Sequence, residues 1–289
     1  MTPTAFEIFF GGPQLVDERE RSAREDRFFH SIRLRNGTYK STAHRRLDDL
    51  NQFVMELLPR ERPLEAMDVA VSSGVSTAEW LLALDGADVE CNMLAGDAVV
   101  DARLISVGSL RALAEKTGHL LQLDVSGHAI PLPPPGRFDR LRYAPMIAFM
   151  QAATWLFDLQ SRTVQRRCGA TCRPLTLMSR SLSQLPRIRT VEDDILHDIG
   201  YAQRFHVLRA ANILNRAYFD VTTLERMLAN LRSRLLPGGL LIVCRTNDAG
   251  MNNATVFTLG TDGRFTATAR LNEGSEIADV VLRLEPGRC

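Results

Sequence analysis

The residues best suited to chemistry begin with the stretch Asp68-Val69-Ala70-Val71-Ser72-Ser73-Gly74-Val75-Ser76-Thr77-Ala78-Glu79. Met67 to Val71 is an apolar run interrupted by Asp68, and Ser72, Ser73 and Gly74 form a turn of small residues. Trp80, Leu81 and Leu84 then follow at helical spacing. A strand that ends in small residues and feeds a helix N-terminus brings main-chain N–H groups close to a ligand. Ser76 and Glu79 have the spacing of a capping box, which places the helix start there.

A second run, Val89 to Asp97, ends on an acid. Asp97 lies about 20 positions beyond Gly74, where a carboxylate can hold a ribose diol; an Asp at a strand end serves equally well as a cap. A third segment, Val191-Glu192-Asp193-Asp194-Ile195, ends a strand-like run in an acidic pair, and either acid could be the contact. A fourth, Phe205 to Asn215, reads as a strand and then a loop carrying Arg209, Ala210 and Asn212. His206, His128, His197 and Tyr143 are candidate general bases, needed only for a hydroxyl or protonated amine acceptor. Each has a structural alternative, as has the aromatic set Tyr39, Tyr143, Phe149 and Trp155, which suits a core as well as a pocket. Cys168 and Cys172 form the sole close cysteine pair and have no partner pair at zinc spacing, so no metal is expected.

Positioning these groups falls to a series of alternating strands and helices. Residues 1–63 read as a helical arm or lid, with a charged helix over Asp17–Arg27 and an apolar stripe at Leu47, Leu50, Val54 and Leu57. Glu7–Phe10 reads as a short strand or turn. The main domain spans 64–289 and carries an insertion at about 98–175 that is expected to cover the substrate side. In the insertion, Leu110–Thr117 reads as helix, Leu120–Val125 as strand, Ile130–Gly136 as an extended linker and Arg142–Arg167 as a long helix. The sheet resumes at Leu175–Met178. Thr222–Leu236 is an amphipathic helix with Thr222 and Glu225 as a capping box, stopped by Pro237-Gly238-Gly239 before the buried strand Leu240–Cys244. Val256–Leu259, Phe265–Leu271 and Val280–Leu284 read as closing antiparallel strands.

Bulk composition narrows the function classes. The 289 residues are 45% hydrophobic and 24% charged with a formal net charge of +1, so no strong field attracts nucleic acid or an anionic membrane. The longest apolar run, Ala144–Phe157, contains Gln151 and Thr154 and is shorter than the roughly 18 residues of a spanning helix. Scattered cysteines and no recognisable signal peptide read as a reduced, cytoplasmic chain.

Three segments together carry a family resemblance: Asp68-x-Ala70-x-Ser72-Ser73-Gly74; Val191 to Ile195; and Phe205-His206-Val207-Leu208 through Asn212-Ile213-Leu214 to Leu235-Leu236-Pro237-Gly238-Gly239-Leu240-Leu241. In that order they resemble the class I S-adenosylmethionine-dependent methyltransferases over roughly residues 64–285. Asn212-Ile213-Leu214 with Tyr218-Phe219-Asp220 is somewhat similar to the chemotaxis-receptor methyltransferase branch, whose N-terminal domain is not recognisable here. The resemblance implies an α/β, Rossmann-like seven-stranded, mostly parallel sheet with a C-terminal antiparallel hairpin. It implies S-adenosylmethionine as cofactor, with Asp68, Ala70, Ser72, Ser73 and Gly74 along the methionine moiety, Asp97 on the ribose, and Asp194 with the Ile195 amide on adenine. Arg209, Ala210 and Asn212 would lie beside the methionine and a small-molecule acceptor, with Asn212, His206 and Tyr143 as candidate catalytic groups. Ala70 and Ser72 replace two of the family's three loop glycines. A homodimer is compatible with this reading. The alternatives are a non-catalytic binding or assembly protein on the same fold and an NAD-linked oxidoreductase, the latter opposed by Pro237-Gly238-Gly239 and the closing hairpin.

Overall fold

The computed structural model describes residues 1–11, 17–34, 39–40, 42–59, 63–132, 143–158, 170–198 and 200–286. The chain divides into two compact units, one made of Met1–Thr42 with Val99–Met178 and the other of Ala43–Ala98 with Ser179–Cys289. This differs from the expected arm over 1–63. Residues 1–42 group with the insertion, and the helix carrying Leu50 and Val54 groups with the main sheet.

The second unit holds a seven-stranded sheet. In chain order its strands are β1 (Leu64–Val69), β2 (Cys91–Asp97), β8 (Ile188–Glu192), β9 (Phe205–Ala211), β10 (Leu235–Thr246), β11 (Asn252–Leu259) and β12 (Phe265–Leu271), arranged β12-β11-β10-β9-β1-β2-β8. The five strands from β8 to β10 are parallel, and β11 and β12 add antiparallel pairings. Counted from β8, the order is 3-2-1-4-5 and then a meander. That is the doubly wound order, whose direction of winding reverses between β1 and β9.

Alternation along the strands divides the core. Leu64, Ala66, Val207, Ile242 and Cys244 face α3 (Asp48–Met55) and α4 (Val75–Gly86), where they meet Leu50, Val54, Trp80 and Leu84. Met67, Val69, Leu208, Leu241 and Val243 face α7 (Val221–Arg234) and α8 (Ala278–Arg283), against Leu224, Leu228, Leu231 and Val281. Both faces are covered, which explains the continuous apolar runs of β9 and β10.

Several elements depart from expectation. Gly74, not a Ser76–Glu79 capping box, is the N-cap of α4, and Glu79 instead accepts hydrogen bonds from the Arg45 N–H at 2.8 Å and from His44. The N-cap of α7 is Asp220 rather than Thr222, and the helix ends at Arg234. β10 runs from Leu235 through Pro237-Gly238-Gly239, with a register irregularity between Leu235 and Leu240 and Gly238 at φ 82°. Val280–Leu284 is mostly the helix α8, not a strand. Ile277, Val280 and Val281 are all buried and Leu284 packs beside them, which is helical spacing against one face.

The first unit is built on an antiparallel sheet ordered β6-β5-β4-β3-β7: β3 (Asp101–Val107), β4 (Leu110–Glu115), β5 (Leu120–Val125), β6 (His128–Pro131) and β7 (Ala170–Thr176). α1 (Ala5–Phe10) and α2 (Glu18–Ser31) cover one face, where Phe28, Phe29 and Ile32 meet Leu104, Leu113 and Leu121. α5 (Ala144–Asp158) covers the other, with Ile147 and Met150 against Ile105, Ala112 and Leu123. Leu110–Glu115 is therefore a strand rather than the expected helix: Leu113 and Ala112 bury on opposite faces, and a short run buried on both sides carries no period to tell strand from helix. Glu7–Phe10 belongs to a helix with a full capping box between Thr4 and Glu7, and β7 pairs with β3 instead of resuming the main sheet. The segments 133–142 and 159–169, with the rest of the proline linker and the end of the expected long helix, lie outside the described residues.

Candidate functional site

The C-terminal ends of four neighbouring parallel strands bring most of the singled-out residues together. Val69 pairs in register with Gly96 of β2 and Ala210 of β9, and Asp97 with Glu192 of β8. The loop after β1, Asp97, the Asp193–Asp194 pair and Asn212 therefore share one edge, on either side of the β1–β9 winding reversal. In an open α/β sheet ligands bind at that point.

The loop has an unusual backbone. Ala70, Ser72 and Gly74 are all left-handed, at φ 56°, 58° and 83°. Such a conformation is natural for glycine and strained by about 1–2 kcal/mol for a residue with a Cβ. The loop closes on Asp97, whose Oδ2 accepts the Ser72 N–H at 2.7 Å, and the Val71 N–H donates to the Gly96 carbonyl at 3.1 Å. Gly74 is also a close approach: a Cβ there would lie 2.2 Å from Leu182 Cδ1 of α6 (Arg180–Ser183). The Ser73 carbonyl accepts the Ser179 N–H at 2.7 Å, which fixes α6 against the loop.

No side chain caps α4, and the Oγ atoms of Ser72 and Ser76 are buried without a hydrogen-bond partner among the described residues. An uncapped N-terminus presents N–H groups to an anion such as a carboxylate. Asp97 is buried at the same edge, with its Oδ2 accepting the Ser72 N–H. These features suit both ends of an aminoacyl nucleoside: donors for a carboxylate and an acid for a sugar diol.

Asp68 and Arg209 occupy the α3/α4 face of the sheet rather than its open edge. Arg209 donates to Asp68 from Nε (3.0 Å) and Nη2 (2.5 Å), to Asn51 Oδ1 (2.8 Å) and to the Ser76 carbonyl (3.0 Å), and it stacks 4.2 Å from the Trp80 ring centroid. Thr77 Oγ1 adds a further bond to Asp68 at 2.6 Å. The pair is buried and mutually satisfied, so the structure places both residues beneath the loop as its support. Asn51 is a partner that spacing rules miss. The available signal is a polar residue directly after Leu50 on the buried stripe of α3.

The acidic pair divides. Asp193 is buried in a two-point ion pair with Arg234, at 2.6 and 3.0 Å. Burial pushes its carboxyl up from the usual range and Arg234 pulls it down, with the balance upward. Asp194 is exposed, takes the Leu196 N–H at 3.0 Å and lies 3.3 Å from His197. Ile195 is buried in the α7 core and its carbonyl accepts from Asn230.

Asn212 follows β9 at φ 63°, a conformation asparagine tolerates better than most residues. Its N–H donates to the Cys244 carbonyl at 2.8 Å, and its Oδ1 accepts the Thr246 N–H at 2.7 Å. His206 stands at the start of β9, the opposite end from Asn212, and its Nδ1 accepts the Glu65 N–H at 3.0 Å. A ring nitrogen committed to a main-chain donor at the far end of the strand is structural. Tyr143 belongs to the first unit, where it packs half-buried beside the α5 core. Among the described residues no group of three or more His, Cys, Asp or Glu side chains is placed to hold a metal ion, and Cys168 is outside them. No helix of the described residues is long and apolar enough to cross a membrane.

No protein-family model and no curated protein matches the sequence. Solved structures to which the chain is similar include the methyltransferase domain of the citrinin polyketide synthase (13% identity, TM-score 0.35, 70% of this chain and 35% of that one). They also include the N-methyltransferase NodS from Bradyrhizobium japonicum with S-adenosylhomocysteine (13% identity, TM-score 0.34, 71% and 65%) and the [4+2]-cyclase SpnF (13% identity, TM-score 0.31, 71% and 47%). The chain thus spans about a third of the first and just under two thirds of the second. These likenesses are loose.

Proposed function

We propose that the chain binds S-adenosylmethionine at the C-terminal ends of β1, β2 and β9 and methylates a small-molecule acceptor. The observation that carries this reading is the alternation of left-handed backbone at Ala70, Ser72 and Gly74, closed onto Asp97. Two of these residues hold the conformation at a cost, and strain kept at a ligand-binding edge is a mark of function. In this reading the N-terminal amides of α4 and the Asn212 amide lie along the methionine moiety, Asp97 holds the ribose hydroxyls, and Asn212 also borders the acceptor. When bound, the cofactor supplies an electrophilic sulfonium methyl group. The residues of the edge act by positioning, which can account for much of the barrier reduction in an in-line displacement. With His206 committed elsewhere, the reading favours an acceptor atom that needs no proton removed before it attacks.

A second reading, a binding or assembly protein on the same fold, is favoured by the saturation of Asp68 by Arg209 and by Leu182 packed against Gly74. Calorimetry with S-adenosylhomocysteine tests the first. Binding is expected in the wild type and weakened at least tenfold in Asp97→Ala; a folded wild type that shows no heat of binding overturns it. Binding without transfer of labelled methyl to any extract metabolite selects the second reading.

A further inference from the structure

The orientation of Asn212 is set by the Thr246 main-chain N–H, and Thr246 is itself held by a chain of side-chain hydrogen bonds that begins in the segment before α3. A main-chain carbonyl only accepts, so the Asn252 atom 2.7 Å from the Arg46 carbonyl is its amide nitrogen, which also donates to Asp49 at 2.5 Å. Asn252 Oδ1 therefore faces Thr246 Oγ1, at 2.7 Å, and the hydroxyl must donate to it. With its proton committed, the hydroxyl accepts from Arg46 Nε at 3.1 Å. The Thr246 N–H only donates, so the Asn212 atom at 2.7 Å is Oδ1. Every amide in the relay has one permitted orientation. Asn252 is 2% exposed, which keeps water from substituting for a lost partner.

We infer that Asn252 is a positioning residue for Asn212, acting through Thr246, and that it turns the Asn212 amide nitrogen outward as the hydrogen-bond donor of the site. Among the described residues that nitrogen makes no hydrogen bond, whereas Oδ1 is taken. Asn212 then holds a ligand group bearing a lone pair, such as a carboxylate or carbonyl oxygen, and does not hold an ammonium or amino N–H. The ligand part of this inference rests on the proposed function; the positioning part does not.

The experiment has two arms. In the first, side-chain amide NMR of the unliganded protein follows the Asn212 NH2 pair, assigned by its loss in Asn212→Asp. Asn252→Ala and Thr246→Val should shift and broaden that pair, while Thr246→Ser, which keeps the hydroxyl, leaves it in place. In the second, calorimetry with S-adenosylhomocysteine should show roughly tenfold weaker binding in Asn252→Ala, Thr246→Val and Asn212→Asp, with affinity kept in Thr246→Ser. A wild type that does not bind while the NMR arm behaves as stated removes the proposed function and leaves the positioning role standing. An Asn212 NH2 pair unchanged in folded Asn252→Ala and Thr246→Val overturns the positioning role. Asn212→Asp that binds as well as wild type overturns the donor role.

Discussion

Arg209 and Asp68 are register partners on adjacent strands, joined by hydrogen bonds of 3.0 and 2.5 Å with side chains 1% and 4% exposed. The pair ties β9 to β1, and through Asn51, Thr77 and the Ser76 carbonyl it also ties in α3 and the start of α4. Removing one member leaves the other as an uncompensated buried charge, so Asp68→Ala and Arg209→Ala should each cost about 3–5 kcal/mol. The double replacement Asp68→Leu/Arg209→Met removes both charges and should recover much of that loss. Urea unfolding measures all three; single variants within 1 kcal/mol of wild type, on the order of experimental scatter, contradict the assigned role.

The left-handed loop makes an opposite pair of predictions. At Ala70 and Ser72 glycine relieves about 1–2 kcal/mol of conformational strain. It also adds roughly 0.5–1 kcal/mol of unfolded-state entropy, so Ala70→Gly and Ser72→Gly should be neutral to modestly stabilising. Gly74→Ala meets both a φ of 83° and Leu182 at 2.2 Å, and should lower the melting temperature by several degrees. A glycine variant at 70 or 72 that is clearly less stable than wild type would show that the side chain, not the backbone, holds the loop.

The main sheet was largely legible because its strands are apolar runs ended by recognisable punctuation. Asp97 ends β2, and the strand-then-loop reading of Phe205 to Asn215 matches β9 followed by Asn212. The first unit was less legible: β4 buries consecutive residues on both faces and loses the period of two, and β7 buries too little to mark which sheet it joins. The end of the chain misled because Val280 and Val281 favour strands by type but bury at helical spacing. At the site, sequence order located the edge but not the partners. The family resemblance implied Arg209 beside the ligand, yet nothing local reveals that Asp68 and Asn51 claim its guanidinium. Asn252 and Thr246 carry no signal at all, since their importance lies in contacts with Arg46 and Asp49 some 200 residues away.

Cys244 sits beneath the same edge, and burial pushes its thiol up to about 12. Alkylation requires the thiolate, so native Cys244 should resist iodoacetamide at neutral and mildly alkaline pH and react on unfolding. Mass mapping after timed labelling, with and without urea, gives the answer. Rapid native labelling of Cys244 would mean that β10 opens locally on the timescale of the experiment.

Asp220 starts α7 directly after the loop that carries Tyr218 and Phe219, and its Oδ1 accepts the Thr223 N–H at 2.7 Å. That main-chain bond, with a further one to the Thr223 side chain, holds the Asp220 carboxyl below its usual range. A carboxyl whose folded pKa is depressed stabilises the fold fully above its unfolded pKa of about 3.9 and loses that contribution as pH falls through the folded value. The gap in melting temperature between wild type and Asp220→Ala should therefore be widest near neutrality and narrow below about pH 4. Asp220→Ser keeps an acceptor for the Thr223 N–H without a titrating group, so its melting temperature should stay near wild type at neutrality and show a flatter pH dependence. A gap between wild type and Asp220→Ala that is constant from pH 7 to pH 3, well outside the roughly one-unit spread of carboxyl values, would assign the cap's effect to the helix backbone alone and remove the carboxylate from the account.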